Sequence, residues 1–226
     1  MMAGVNDLLE LARSQLGVKE APAGSNRVKY NTAYYGREVS GGAYPWCCAF
    51  IWWLFREAGA PELFYGGGKT ASCTTLYGWY KRQGQAVEKV ELRPGDLVFF
   101  NFDGNPAVMN HIGICEKVEP GYVTTIDGNT GTANEANGGA VMRRRRALKY
   151  VGGVARPKYE EEEEMKIYRY VADLPKDWQA AVTKAINLGI IKMDGSGAMM
   201  LYESNAPVFT YLDRLGLLDK PAREEM

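Results

Sequence analysis

The chain has 226 residues, 46% of them hydrophobic and 24% charged, with a formal net charge of zero. That length accommodates one ordinary domain and a small second one, and the charge balance removes any bulk electrostatic case for a nucleic-acid partner. No apolar run approaches the roughly 18 residues of a membrane span. The opening Met1-Met2-Ala3-Gly4-Val5-Asn6-Asp7 lacks the basic region and apolar core of a secretory signal.

Apolar side chains at positions 5, 8, 9, 12 and 16 have helical spacing and predict a first helix, stopped by Gly17. Residues 21–45, rich in Gly, Asn, Pro and Tyr, read as a long loop. A second helix is predicted from about Cys47 to Ala58, ended by Gly59 and Pro61, and a third over 70–83, ended by Gly84. The pattern then changes to strands: 96–100 after the turn Pro94-Gly95, followed by 111–118, 122–126, 139–145 and 150–155. Helices first and strands afterwards indicate an α+β domain.

Residues 160–164 are five consecutive glutamates. Like-charge blocks stay solvated and often join domains, so 159–166 read as an acidic linker, with a helix start or a solvated face as the alternative. The expected division is a catalytic domain at 1–158 and a small, mostly helical domain at 167–226. In the latter, Trp178, Ala181, Val182, Ala185 and Leu188 predict an amphipathic helix over 177–188, and a shorter one is predicted over 208–215.

The four cysteines, Cys47, Cys48, Cys73 and Cys115, match no zinc spacing, since two are adjacent and two stand alone. Cys47 falls at the first turn of the second predicted helix, in Tyr44-Pro45-Trp46-Cys47-Cys48-Ala49-Phe50. Free backbone N–H groups and the helix dipole stabilise a thiolate there, and the same N–H groups suit an oxyanion. By position alone, Cys47 reads rather as a small core residue, as most free cysteines are. His111 is the only histidine, so any imidazole chemistry must use it; it opens a strand as Asn110-His111-Ile112-Gly113, where a core histidine is the plain alternative. Thr125-Ile126-Asp127-Gly128-Asn129-Thr130 ends the next strand with a carboxylate and an amide two residues apart. Either accepts an imidazole N–H and fixes its tautomer, or the triplet Asp-Gly-Asn is only a hairpin turn.

Trp-Cys-x-x-Phe at a helix start, His-Ile-Gly opening a strand and Ile-Asp-Gly-Asn-Thr closing the next one occur in that order. The ordered set resembles the CHAP family, the cysteine- and histidine-dependent amidohydrolase/peptidase domains of peptidoglycan hydrolases, over roughly residues 5–157. Pro94-Gly95-Asp96-Leu97-Val98-Phe99-Phe100 is similar to the strand preceding the histidine in that family. The resemblance implies a papain-like α+β fold with Cys47 as nucleophile and His111 as base. It implies Asp127 as the acidic residue orienting the histidine, where relatives usually carry Glu, and Asn129 as a further site residue. It further implies acyl transfer through a thioester at an amide bond of the wall peptide or between muramic acid and L-alanine.

Of the aromatic residues near the nucleophile, Tyr44 and Trp46 are the candidates for lining a substrate groove, whereas Phe50 and Trp53 have core spacing. The run Arg143 to Arg146 splits between two faces of a strand, either solvated or touching anionic wall polymer. Leu174 to Val182 followed by Leu188-Gly189-Ile190 resembles one copy of an S-layer-homology motif, and implies a wall-binding role for the second domain, with a dimerisation or packing module as the alternative. Catalytic domain, acidic linker and small binding domain together look like a phage endolysin of a Gram-positive host, held in the cytoplasm until released to the wall. A bacterial autolysin, a non-catalytic wall-binding protein of the same fold and a papain-like acyltransferase are the other readings. The expected partner is bacterial peptidoglycan, with no nucleic acid and no membrane span; self-association is left open.

Some phage relatives carry an acidic calcium loop before the cysteine. The corresponding Ser40-Gly41-Gly42-Ala43-Tyr44-Pro45 has no carboxylate, which calcium sites usually include, so no cofactor and no metal are expected. Wall digestion is therefore expected to survive EDTA and buffer exchange; loss of activity restored specifically by calcium would contradict this.

Overall fold

The structure, a computed structural model, describes residues 4–159 and 167–219. The chain divides into two compact units, Met1–Glu162 and Glu163–Met226. The five glutamates read as a linker lie outside the described residues.

The first unit is α+β. Helix α1 (Val5–Ser14) buries Leu8, Leu9 and Ala12 on one face, as their spacing dictates. Asp7 accepts a hydrogen bond from the Gly4 N–H at 3.2 Å and satisfies one donor at the helix start. Helix α2 (Lys29–Tyr35) corrects the expectation of an uninterrupted loop over 21–45. Its stability comes from tertiary packing rather than from a propensity pattern. Tyr30 is buried with its ring stacked on Trp46 and edge-on to Phe50 and Trp53, and Asn31 donates to the carbonyls of Asn26 and Tyr44 at 2.8 and 2.9 Å. Helix α3 (Cys47–Glu57) is buried nearly all round, from Cys47 to Trp52 and again at Leu54 and Phe55. Such a helix belongs at the centre of a fold, and α3 packs against α1, α2 and the sheet. Helix α4 (Cys73–Arg82) starts at a serine cap, with the Thr75 N–H donating to the Ser72 hydroxyl at 3.2 Å.

The strands are β1 (Ala86–Val87), β2 (Leu97–Phe100), β3 (His111–Glu119), β4 (Tyr122–Thr130), β5 (Ala140–Ala147) and β6 (Val151–Ala155). They form one antiparallel sheet in the order β1-β6-β2-β3-β4-β5. Alternation along the strands places Leu97, Phe99, Ile112, Ile114 and Ile126 in the core shared with the helices, while Val98, Phe100, Cys115 and Val123 pack in a second cluster. β4 runs through Asn129 to Thr130, with an irregularity in its pairing with β5 between Asp127 and Thr130. Asp-Gly-Asn is therefore part of a bulged strand rather than a hairpin turn. Tyr159 belongs to this unit: its hydroxyl donates to the Gly95 carbonyl at 2.6 Å and its ring stacks on Phe55.

The second unit contains a two-stranded pairing of β7 (Ile167–Tyr168) with β8 (Leu201–Tyr202), and helices α5 (Lys176–Asn187) and α6 (Ala206–Arg214). Tyr168, Leu174, Val182, Met199, Leu201 and Ala206 form its core. Among the described residues, no helix is long and apolar enough to cross a membrane.

One close approach ties α3 to the sheet. A Cβ placed on Gly128 would lie 2.5 Å from the Cβ of Phe50, well inside van der Waals contact. Forcing extra volume into a packed core costs about 1–3 kcal/mol. Gly128→Ala is expected to lower Tm by several degrees, at about 2–4 °C per kcal/mol for a unit of this size. A thermal melt unchanged from the parent would show that α3 and β4 yield freely at this point.

Candidate active site

Cys47 is the first residue of α3 and is buried, with 4% of its surface exposed. The first N–H groups of a helix have no partner within it, and the positive end of the helix dipole lies there. Two more thiols adjoin it. Cys73, the first residue of α4, has its sulfur 3.7 Å from that of Cys47 and 3.4 Å from that of Cys48. Hydrogen bonds from Cys48 and Cys73, then from His111, hold the Cys47 thiol well below the ordinary thiol range against the opposing effect of burial. The same hydrogen bonds to Cys47 push the Cys48 and Cys73 thiols well up. The position of Cys73 had no signal in the sequence: 25 residues separate it from Cys48, and only the meeting of two helix starts brings them together.

His111 is fully buried at the first residue of β3. Its Nε2 lies 3.0 Å from Asp127 Oδ2. Its other nitrogen, Nδ1, is buried, and Cys47 is the thiol that interacts with the ring. Burial alone would lower the imidazole pKa; the hydrogen bond to Asp127, the interaction with Cys47 and both negative charges outweigh it and push it up to about 9.

Asp127 is itself fully buried. Burial would raise its pKa, but the charge of Arg146 and then the hydrogen bond with His111 hold it below the usual carboxylate range. Arg146 reaches Asp127 Oδ2 through one guanidinium nitrogen, Thr130 through another at 3.2 Å, and Glu135 Oε2 through Nε at 2.8 Å. Its guanidinium also lies over the Phe100 ring, 4.6 Å from the centroid. The arginine run does divide between two faces. Arg143 and Arg145 are exposed and pair with Glu116 and Glu119, whereas Arg146 is 5% exposed and serves the buried carboxylate. Strand alternation separates 143 and 145 from 144 and 146, but nothing in the sequence distinguishes Arg146 as the one that reaches Asp127.

Gly113 explains the close approach of Asp127 to β3. A Cβ on Gly113 would lie 1.9 Å from Asp127 Oδ1, so the carboxylate occupies space that any other residue at 113 would fill. Asn129 is also buried, and its Oδ1 accepts from the Gly139 N–H at 3.3 Å, on the β4–β5 connection, while the carboxylate of Asp127 takes the hydrogen bond with the imidazole. Its φ of +60° turns it into the left-handed region, which asparagine tolerates better than most residues.

The two aromatic candidates separate. Tyr44 is half-buried, edge-on to Tyr35. Trp46 has no exposed surface, which corrects its expected place in a groove. Its indole N–H donates to Glu20 Oε1 at 2.8 Å and its ring stacks on Tyr30. A buried indole needs such a partner, and the pair fixes the turn that enters α3. Glu20 in turn borders a groove of about 770 Å³ between residues 16–24 and 131–143.

A thiol at a helix start, coupled to an imidazole whose far nitrogen meets a carboxylate, is the layout of a papain-like nucleophilic site. A family model for the CHAP domain matches residues 39–129, which span Cys47, His111 and Asp127. Residues 39–129 are a CHAP domain. Among solved structures, the chain is similar to the wild-type endolysin LysIME-EF1, at 17% identity over 75% of this chain and 70% of that one, with a TM-score of 0.47. It is similar to Ly7917 at 18% identity, over 69% of this chain and 63% of that one, with a TM-score of 0.41. A comparison with curated protein sequences finds no match.

The ionisation of the CHAP site sets a pH window. A thiolate–imidazolium pair exists above the lowered pKa of Cys47 and below the raised pKa of His111. Because the folded His111 pKa is raised, its stabilising contribution is complete below the ordinary value of 6.5 and is lost as pH rises through about 9. The alkaline limb of kcat/KM is expected near pH 9. Asp127→Asn removes the charge that favours the imidazolium and should move that limb down by about one pH unit or more. The single imidazole NMR signal, His111 being the only histidine, should titrate in parallel; limb and signal both unmoved would remove Asp127 from the pairing.

Proposed function

We propose that this chain is a peptidoglycan hydrolase that cuts an amide bond of the bacterial wall through a thioester on Cys47. The observation that carries the reading is the continuous buried line from Cys47 through His111 to Asp127, inside the residues matched as a CHAP domain.

The roles follow from position. The Cys47 thiolate attacks the amide carbonyl carbon, and its sulfur forms the new bond. Negative charge moves to the carbonyl oxygen, where the unpaired N–H groups at the start of α3 meet it. His111, protonated at this stage, gives its proton to the leaving nitrogen as the C–N bond breaks. The neutral imidazole then takes a proton from water, the hydroxide attacks the thioester carbon, and the C–S bond breaks, which returns the Cys47 thiolate and releases the acid product. Asp127 holds Nε2 and stabilises the imidazolium; Arg146 holds Asp127. Asn129 shapes the β4–β5 connection beside the site.

The bond cut lies either within the wall peptide or between muramic acid and L-alanine. The second unit serves as a wall-binding module in this reading, and the protein acts as a phage or prophage endolysin, made in the cytoplasm and released to the wall. Tyr159 packs against the first unit, so a separated catalytic unit should keep it.

Cys47→Ala is expected to abolish digestion of purified Gram-positive peptidoglycan, a loss of at least about 10⁴-fold for removal of a nucleophile. Cys48→Ala should keep most of the rate. Mass spectrometry of the parent digest identifies the bond by the new amine it exposes. A folded Cys48→Ala protein that is inactive beside an active Cys47→Ala protein would shift the nucleophile by one residue.

A further inference from the structure

Three thiols meet where two helices begin. Cys47 opens α3, Cys73 opens α4, and Cys48 follows Cys47. All three sulfurs lie within 4.8 Å of one another, with two of the separations at 3.4 and 3.7 Å. A zinc ion held tetrahedrally by thiolates at about 2.3 Å spaces its sulfurs about 3.8 Å apart. These two edges fall within a few tenths of an ångström of that value, so the side chains need little movement to share one ion. The positive ends of both helix dipoles favour deprotonated sulfur at this point.

His111 adjoins the cluster through its interaction with Cys47, and an ion held by the three sulfurs keeps its fourth tetrahedral position for water.

We propose that Cys47, Cys48 and Cys73 form a buried inhibitory site for a thiophilic divalent cation of the zinc class. The inhibition rests on the reading of Cys47 as nucleophile; the binding of the ion rests on the cluster itself. The ion displaces the remaining thiol protons to solvent. It takes the lone pair of the attacking sulfur, so attack on the amide cannot proceed. No group is oxidised or reduced, and withdrawing the ion restores the site. The sequence hides this arrangement because its ligands come from two helix starts rather than from a short repeated spacing.

The test uses the full chain, reduced, freed of metal and kept from oxygen. Titration with Co²⁺ is expected to give a thiolate-to-cobalt charge-transfer band that saturates at one ion per chain and is abolished by Zn²⁺. Cys73→Ser and Cys48→Ser should each weaken cobalt binding by about tenfold or more and reduce the band per bound ion. One equivalent of Zn²⁺ should stop wall digestion, and EDTA should restore it. No saturating band, or an unaltered band in both serine variants, overturns the site. Recovery with dithiothreitol but not EDTA overturns it in favour of thiol oxidation. A normal band with undiminished digestion in Zn²⁺ overturns the inhibitory role and, separately, the assignment of Cys47 as nucleophile.

Discussion

The arrangement depends on one buried carboxylate. Asp127 has no exposed surface, and an ionised group in that position costs several kcal/mol unless it is paired and hydrogen-bonded. Arg146 supplies the charge from β5 and His111 the hydrogen bond from β3. Removing one partner of a buried ion pair typically costs about 3–5 kcal/mol, since it strands the other. Arg146 is therefore as much a part of the site as the residues that touch it, although it stands three contacts away from the sulfur. Its other hydrogen bonds, to Thr130 and Glu135, fasten the guanidinium so that its charge stays on Asp127.

The glycines of the motifs have steric reasons that bind the three segments together. Gly113, of His-Ile-Gly, leaves the space that the Asp127 carboxylate occupies. Gly128, of Asp-Gly-Asn, lies against Phe50 of Trp-Cys-x-x-Phe. Each motif thus contains a position shaped by another motif, and the helix start and the strands cannot move independently without a clash or a void. Trp46 contributes from the other side: held by Glu20 and Tyr30, it fixes the entry into α3 and with it the direction in which Cys47 leaves the backbone. The tryptophan beside the nucleophile is a wedge under the site rather than a wall of the groove.

The helix starts give the site its second character. Two helices open on one cluster of sulfur atoms, and the unpaired N–H groups there favour negative charge wherever it forms. That environment serves a thiolate nucleophile and an oxyanion, and it serves a thiophilic cation's ligands equally well. The same physical feature therefore underlies both the proposed turnover and its proposed suppression.

Much was legible in the sequence by itself. The apolar spacing of α1, the uniformly apolar α3 and the succession of strands gave the α+β class, because burial imposes those periods locally. The order of Cys47, His111 and Asp127 was legible as well, because Cys47 and His111 open their elements and Asp127 is marked by the Ile-Asp-Gly-Asn-Thr run around it. Tertiary structure alone decided the rest. Helix α2 has no clear period of its own and forms because Tyr30 and Asn31 find partners in distant segments. Asp127 rather than Asn129 meets the imidazole because the bulged end of β4 turns Asn129 towards Gly139. Arg146 rather than its three neighbours neutralises that carboxylate, and Cys73 joins Cys47, through contacts between residues 19 and 26 positions apart. No local pattern encodes such meetings, because they depend on where whole helices and strands pack.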